Sequence, residues 1–128
     1  MKLLLDEPGS DTAASLFDSS TELFSASVGY VEARAALSKA NRAGRLPNAR
    51  LARSRLDLEE IWTETTVVGF GELLVERAGD VAESHRLAAG DAIHLASALT
   101  LGEPELVFAV WDKELARAAR ESGLAVAP

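Results

Sequence analysis

Apolar positions along the chain fall into two patterns, short continuous runs and longer stretches with helical spacing. The short runs are typical of strands, and the longer stretches are bounded by Gly, Pro or Ser, as helices often are. The sequence predicts strands at Leu23–Ser27, Thr66–Phe70, Leu106–Val110 and Leu124–Val126. It predicts helices at Ser10–Ser19, Val28–Ala43, from Pro47 to beyond Trp62, and at Gly71–Leu87, Asp91–Leu101 and Asp112–Ser122. Because strands and helices alternate, we expect an α/β fold with a parallel sheet.

The same pattern predicts which residues form the core. The run Leu106–Val110 is apolar without alternation, as expected of a strand that is covered on both faces. One helix is expected to have near one face Val28, Val31, Ala35 and Leu37, and another is expected to direct inward Leu73, Leu74, Ala78, Val81 and Ala82. The helix that Pro47 opens carries Leu51, Leu56, Leu58 and Ile61. Trp62 and Trp111 are also expected in the core, although Trp111 adjoins Asp112 and is alternatively placed to stack on a nucleobase.

Signals at helix ends support these boundaries. Ser10 or Asp11 is expected to cap the first helix, because short polar side chains satisfy the first unpaired backbone N–H groups. Gly44, Gly102 and Gly123 follow predicted helices and are expected to end them, since glycine adopts the left-handed conformation at low cost.

Length and composition narrow the class of protein. The 128 residues suit a single domain spanning 1–128 with a core of its own. The chain has no cysteine, which excludes disulfides, zinc–thiolate sites and thiol catalysis and fits a reducing cytoplasm. No apolar run approaches the roughly 18 residues needed to span a bilayer. The apolar start Met1–Leu5 ends at Asp6 and is too short for a signal peptide.

Charge is unevenly distributed along the chain. The net charge is −7, which by itself disfavours binding to a nucleic-acid backbone. Residues 34–55, which we call the basic segment, contain no Asp or Glu. Its cations are Arg34, Lys39, Arg42, Arg45, Arg50, Arg53 and Arg55. We interpret the segment either as a solvated helix pair or as a surface for phosphates or an acidic partner.

Three carboxylates occupy positions that favour a metal site. Asp91 and Asp112 lie at predicted helix starts, where capping and the helix dipole are by themselves sufficient reasons for an acidic residue. Glu32 lies among apolar residues on a predicted helix, where a buried charge is costly unless it is paired with an Arg or bound to a metal. Carboxylates directed from strand ends and helix starts toward one spot would suit Mg²⁺ or Mn²⁺.

The two histidines are weaker candidates. His94 follows Asp91 by three residues and is either a ligand or base, or a packed, hydrogen-bonded side chain, the commoner role. His85 is expected at the surface near a helix end. No phosphate-binding loop, dinucleotide fingerprint or Ser-His-Asp pattern is present.

Four segments together resemble PIN-domain ribonucleases, specifically the VapC-like toxins of bacterial toxin–antitoxin pairs. Asp91–Ala96 and Phe108–Leu115 resemble the two C-terminal motifs of that family. Tyr30–Leu37 resembles the helix that carries its Glu, and Leu3–Ser10 resembles the end of its first helix. The resemblance covers essentially the whole chain. It implies a three-layer α/β/α fold with a short central parallel sheet.

The resemblance also implies a function. Members of the family cleave RNA with Mg²⁺ or Mn²⁺ held by three or four carboxylates, so Glu32, Asp91 and Asp112 would be both the catalytic and the metal-binding residues. A homodimer and a separately encoded antitoxin are the implied partners. The RNA substrate would contact the basic segment, with Arg34, Arg42, Arg45, Arg50 and Arg53 as the candidate residues.

The chain departs from the family pattern in three places. The family's first strand ends in an Asp and would lie just before Lys2–Leu5, so this strand and its Asp are expected to be absent from the chain. Either the start at Met1 is misassigned, the explanation we favour, or the gene product is short. Val110 stands where the family often has Thr or Ser, whose hydroxyl orders water, and Gly90 is small for the position before Asp91.

These departures keep a second hypothesis open, a catalytically degenerate PIN-fold module that binds RNA or an antitoxin without cleavage. A third hypothesis is an unrelated acidic α/β domain such as a phospho-receiver. It requires an acidic cluster at the first strand and a Lys at a later strand end, and the sequence shows neither.

Overall fold

The computed structural model describes residues 3–5 and 7–128, which form six helices and four strands. In chain order these are α1 (Ser10–Ser19), β1 (Leu23–Ala26), α2 (Val28–Arg42), α3 (Asn48–Thr63), β2 (Thr65–Val68), α4 (Glu72–His85), α5 (Ala89–Leu101), β3 (Val107–Ala109), α6 (Lys113–Glu121) and β4 (Ala125–Ala127). Every predicted element exists, with ends shifted by at most two residues.

The chain forms two compact units. The first comprises Met1–Leu23 and Gly29–Thr66, and the second comprises Phe24–Val28 and Val67–Pro128. The first unit has an apolar cluster between α2 and α3. Its buried members are Leu37, Ala40, Leu46 and Leu58, and Leu4, Leu5, Tyr30, Ala33 and Leu51 pack against them.

The second unit has the larger apolar cluster. Helix α5 contributes its most deeply buried residues, with Leu95 and Ala96 fully buried. Helix α4 packs along α5, and α6 packs against β4. The remaining buried members are Leu74, Ala78, Val81, Ala92, Val110, Leu115, Ala116, Ala118 and Ala119. The buried residues of α5 begin at Ala92, directly after Asp91.

The strands of the described residues form two separate two-stranded sheets, β1 with β2 and β3 with β4. Strands β3 and β4 are parallel, with Val107 opposite Ala125 and Ala109 opposite Ala127. The expectation that Leu106–Val110 is covered on both faces was wrong, because Val107 is 52% exposed and Ala109 is exposed. Phe108 packs against the core, so one face of β3 is buried and the other is exposed.

Most helix ends follow the predicted signals. Gly44, Gly102 and Gly123 have φ of 73°, 63° and 90°, as expected of glycines that follow helices. Helix α4 ends earlier than predicted, at His85, because Arg86 adopts the left-handed conformation with φ 56°. The capping expectation for α1 was wrong: Gly9 is its N-cap, and the Ser10 hydroxyl instead donates to the Leu5 carbonyl and accepts from the Glu7 N–H.

The predicted inward faces were partly wrong. On α2 the buried residues are Leu37 and Ala40, whereas Val31 is 66% exposed and Ala35 is exposed. On α4 the buried residues Leu74, Ala78 and Val81 share one face, and Leu73 is 83% exposed, because adjacent residues point about 100° apart around a helix. On α3, for which the sequence indicated no inward face, Leu58 is buried and Leu56 is 60% exposed.

Candidate functional site

Asp91 lies in the first turn of α5 and is half-buried. The helix begins two residues before the predicted start, at Ala89, and its N-cap is Ala88, which provides no side-chain cap. Asp91 is therefore not the capping residue that the sequence suggested. The helix dipole still favours a carboxylate there, and the buried neighbour Ala92 holds the backbone beside it in the core.

Asp112 is the N-cap of α6, as the sequence predicted. Its Oδ1 accepts a hydrogen bond of 2.8 Å from the Leu115 N–H. This bond satisfies one of the first backbone N–H groups of the helix and fixes the direction of the carboxylate. The side chain is exposed, and only Oδ1 takes part in this cap bond. Asp112 thus combines a structural role with an accessible carboxylate.

Glu32 lies on α2 in the first unit and is exposed. The expectation that it sits beside a buried apolar face was wrong, because its neighbour Val31 is 66% exposed. The buried face of α2 runs instead through Leu37 and Ala40. Burial therefore gives no reason for a metal ion at Glu32. Glu32 remains a candidate metal ligand only because the segment Tyr30–Leu37 resembles the family motif.

The described residues do not assemble a metal site. Within either unit, no three Asp, Glu or His side chains among residues 3–5 and 7–128 lie close enough together to hold an ion. Asp91 and Asp112 both belong to the second unit, and Glu32 belongs to the first. Asp6 lies outside the described residues. The donor chemistry nevertheless fits, since carboxylate oxygens are the ligands that Mg²⁺ and Mn²⁺ prefer.

The two residues before Asp112 lie in opposite environments. Val110 is 8% exposed and belongs to the core of the second unit, and its N–H donates to the Ala127 carbonyl at 2.8 Å. Trp111 is 37% exposed, so the expectation that it lies in the core was wrong. The alternation that buries Phe108 and Val110 directs Trp111 to the exposed side.

The second tryptophan is in a different setting. Trp62 on α3 is half-buried, and its ring centroid lies 5.4 Å from that of Tyr30. The Tyr30 hydroxyl donates to Glu59 at 2.5 Å and accepts from Arg34 at 2.8 Å. The Arg34 guanidinium also lies 5.7 Å from the Tyr30 ring centroid, a cation–π distance.

The basic segment runs from α2 through the loop that carries Arg45 into α3. All seven of its cations are exposed. Arg42 donates to the Ser38 hydroxyl at 2.6 Å, and Arg53 pairs with Asp57 at 2.9 Å within α3. Exposure fits both interpretations of the segment, because solvated cations and phosphate-binding cations are equally accessible.

A polar network on α6 was not anticipated from the sequence. Arg117 bonds Glu121 at 2.8 Å and Glu114 at 3.2 Å. Glu121 also lies 3.4 Å from His85 Nδ1, and His85 Nε2 lies 3.3 Å from the Ser122 hydroxyl. The expectation that His85 lies at the surface was therefore wrong, since its side chain is only 19% exposed.

The network shifts two ionisation equilibria. Hydrogen bonds from Arg117 lower the pKa of Glu121, with smaller contributions from the charges of Arg117 and His85. The bonds to Glu121 and Glu114 raise the pKa of Arg117. The spacing of Glu114, Arg117 and Glu121 at three and four residues was the signal that would have revealed this network.

Comparison with known proteins gives consistent findings. The sequence pattern of the PIN domain matches residues 1–121. Ribonuclease VapC45 of Mycobacterium tuberculosis (strain CDC 1551 / Oshkosh) is 41% identical over 128 residues, which are 100% of this chain and 89% of that protein. Ribonuclease VapC49 of Mycobacterium tuberculosis (strain ATCC 25618 / H37Rv) has the same identity and coverage. Among the described residues, no helix is both long enough and apolar enough to cross a membrane.

Proposed function

The chain belongs to the PIN-domain family, and from this membership we propose that it is an endoribonuclease, the toxin of a toxin–antitoxin pair, that hydrolyses RNA phosphodiester bonds. The observation that carries the proposal is the 41% identity to two VapC ribonucleases along the full length of the chain. The aligned region extends over the full length of the chain, so it includes the segments around Glu32, Asp91 and Asp112. The whole chain, 1–128, would act as one domain.

The reaction would depend on Mg²⁺ or Mn²⁺ held by Glu32, Asp91 and Asp112. When bound, the ion activates water and stabilises charge on the phosphate. The protein's own contribution begins with Asp112, whose cap bond to Leu115 holds the carboxylate in one direction before any ligand arrives. Asp91 lies in the first turn of α5, directly before the buried Ala92.

The basic segment would bind the RNA backbone. Its candidate residues are exposed, Arg34 and Arg42 on α2, Arg50 and Arg53 on α3, and Arg45 in the loop between the two helices. Arginine presents several N–H donors that match phosphate oxygens. The remaining surface is acidic, so attraction of RNA would be local to this segment. The antitoxin would be a separately encoded protein, and the toxin would form a homodimer in a cytoplasmic setting.

The first experiment measures cleavage of single-stranded and structured RNA in Mn²⁺. We expect the wild-type chain to cut, and Asp91→Asn and Asp112→Asn to lose cutting while they retain the fold. Asp80→Asn is the matched control, because Asp80 is an exposed carboxylate of the same unit outside the candidate site. EDTA should stop the reaction.

Two results would contradict the proposal. Cleavage that persists in Asp91→Asn and Asp112→Asn would remove these residues from the site. Binding of RNA or antitoxin without cleavage, tested with several unrelated RNAs, would favour the catalytically degenerate module instead.

A further inference from the structure

The ends of α4 and α6 are joined by side chains that the proposed ribonuclease reaction does not use. His85 is the last residue of α4, and its Nδ1 lies 3.4 Å from the carboxylate of Glu121, the last residue of α6. Its Nε2 lies 3.3 Å from the hydroxyl of Ser122, the C-cap of α6. All three residues belong to the second unit. Because the His85 side chain is only 19% exposed, water competes little for these contacts.

A serine, a histidine and a carboxylate in contact also form the catalytic triad of serine hydrolases, but the hydrogen bonds here do not suit that reaction. The Ser122 hydroxyl donates to the Ala118 carbonyl at 2.8 Å, so its proton is not directed at His85. The backbone N–H groups of Ser122, Gly123 and Leu124 donate to carbonyls of α6, so none of these three is left to stabilise an oxyanion. The arrangement is therefore structural rather than nucleophilic.

The hydrogen bonds around His85 can all be made only when its ring is protonated. The Ser122 hydroxyl has one proton, and the Ala118 carbonyl accepts it. A neutral ring that donates to Ser122 from Nε2 presents the lone pair of Nδ1 to the Glu121 carboxylate. A neutral ring that donates from Nδ1 must instead take the Ser122 proton away from Ala118. The imidazolium has two N–H groups and makes all three bonds.

The charges around His85 also favour the protonated ring. Glu121 faces it, and hydrogen bonds from Arg117 lower the pKa of the Glu121 carboxyl and keep it ionised. An opposite charge nearby favours the charged form of an imidazole, and the C-terminal end of a helix favours a cation. Arg86 and Arg117 act in the opposite direction, but Arg86 is exposed, and Arg117 is already paired with two glutamates.

Other titratable groups lie on the elements around His85. Among residues 3–5 and 7–128, Glu121 is the charged residue that contacts the ring. The charged and titratable residues of the neighbouring helices are Asp91 and His94 on α5, and Lys113, Glu114, Arg117, Arg120 and Glu121 on α6. Strands β3 and β4 have none. Since several of these groups titrate, the difference between wild type and a His85 variant is the quantity that reports on this ring.

We propose that His85 is a pH-sensitive link between α4 and α6. The protonated ring donates to Glu121 and to Ser122 together and holds the two helix ends against each other. When the ring loses its proton, one of the three hydrogen bonds is lost and the link weakens. Because α6 follows its N-cap Asp112 directly, the helix that the link stabilises is the one that positions a candidate metal ligand. The link depends on the fold alone and would remain if the chain did not cleave RNA.

Thermal unfolding of the full chain at about pH 5.5 and about pH 8.5, on either side of the ordinary range of imidazole, tests the link. The protonated form is the stabilising one, so its contribution is present on the acid side and is lost as the pH rises. The melting temperature of wild type should therefore exceed that of His85→Gln by about 2–4 °C more on the acid side. In a Glu121→Gln background the effect of His85→Gln should be equal at both pH values. In a Glu83→Gln background, the matched control from the exposed side of α4, the dependence on pH should persist.

NMR of the ring nitrogens gives a second readout that a purely structural histidine would not change. The chain has two histidines, and His94→Gln assigns their signals. The pH at which the His85 ring loses its proton should be lower in Glu121→Gln than in wild type, and unchanged in Glu83→Gln.

Three results would overturn the proposal. One is an effect of His85→Gln that is equal at both pH values, and another is a pH dependence that persists in the Glu121→Gln background. The third is a titration of the His85 ring that Glu121→Gln does not move. If His85→Gln failed to fold, the NMR comparison, which leaves His85 in place, would decide alone.

Discussion

Three consecutive residues near the end of β3 lie in three different environments. Val110 is in the core, Trp111 is exposed, and Asp112 caps α6. Apolar packing therefore constrains Val110, and the bond at the start of α6 constrains Asp112. Substitutions at these neighbouring positions should have separable effects on stability.

Val110→Thr should destabilise the protein by about 1–3 kcal/mol. The substitution preserves shape but places a hydroxyl in an apolar core, where a polar group without a partner is costly. Val107→Thr is the matched control on the exposed side of the same strand and should change the free energy of unfolding by less than about 0.5 kcal/mol. Urea unfolding measures both, and equal costs would contradict the placement of Val110 in the core.

Asp112→Asn should keep the stability of the protein, whereas Asp112→Ala should lose about 0.5–2 kcal/mol. Asn caps a helix about as well as Asp, and Ala leaves the Leu115 N–H without its bond. Thermal unfolding of the three proteins measures the difference. If the Asn variant were as unstable as the Ala variant, the negative charge rather than the cap would be what stabilises α6.

At the scale of elements, α6 is held at both ends. Asp112 caps its start, and the network of Arg117, Glu121 and His85 links its last turns to the end of α4. The side chains of Arg117 and Glu121 are 45% and 50% exposed, so water screens their attraction and their contribution is small.

The contribution of Glu121 to the stability of the folded protein should depend on pH in the acid range. Because the pKa of Glu121 is lowered in the folded protein, its ionised form stabilises the fold above the ordinary carboxyl range. That contribution is lost as the pH falls through the lowered pKa. The melting temperature of wild type should therefore exceed that of Glu121→Gln slightly at pH 7 and converge with it in acid.

Glu83→Gln serves as the control for that comparison, since Glu83 is an exposed carboxylate of α4 outside the network. A gap between wild type and Glu121→Gln that stays constant from pH 7 to pH 3 would mean that the ion pair with Arg117 does not stabilise the protein.

The basic segment leads to a prediction about how RNA binding depends on salt concentration. If its arginines contact phosphates, Arg50→Glu and Arg53→Glu should each weaken RNA binding and reduce the salt slope, by roughly 0.7 for each lost contact with a single strand. Arg53 already pairs with Asp57, so Arg50→Glu should have the larger effect. The matched control is Arg120→Glu on α6, and unchanged slopes in all three would make the segment a solvated helix pair.

The bounds of helices and strands could be predicted from the sequence better than the burial of the residues within them. Gly44, Gly102 and Gly123 mark helix ends through a local backbone preference, so the sequence was sufficient there. The start of α5 was missed because Ala88 has no capping side chain to signal it. The exposure of β3 was missed because it depends on how many strands pair with it, which no local pattern reports.

The candidate site was predictable only residue by residue. The cap at Asp112 follows from its own position before a helix and was found. Whether Glu32 lies near buried residues depends on which face of α2 is packed. Both the exposed face with Val31 and Ala35 and the buried face with Leu37 and Ala40 are apolar, so the sequence does not distinguish them. The proximity of carboxylates from different elements is a tertiary property that spacing along the chain does not encode.

At the scale of the whole molecule, the described residues form two apolar clusters that share no member, and both clusters stabilise the chain. Leu37 is fully buried in the cluster of the first unit, and Leu95 is fully buried in that of the second. Each cluster is a separate source of burial free energy, so the stability of the chain should depend on both.

Leu37→Ala and Leu95→Ala should each destabilise the protein by about 2–5 kcal/mol, through lost apolar burial and the cavity that remains. Leu73→Ala, at a position that is 83% exposed, is the control and should have little effect. Hydrogen exchange should show which amides each substitution exposes. If Leu37→Ala left stability unchanged, the cluster of the first unit would not contribute to the fold.

The exposed cations of residues 34–55 also have a practical consequence during purification. A protein with a net charge of −7 is expected to bind an anion exchanger and pass through a cation exchanger. Because the seven exposed cations of α2, α3 and the loop between them have no Asp or Glu between them in sequence, we expect this acidic protein to be retained on heparin as well. It would then be eluted by salt while a preparation with Arg50→Glu and Arg53→Glu flows through.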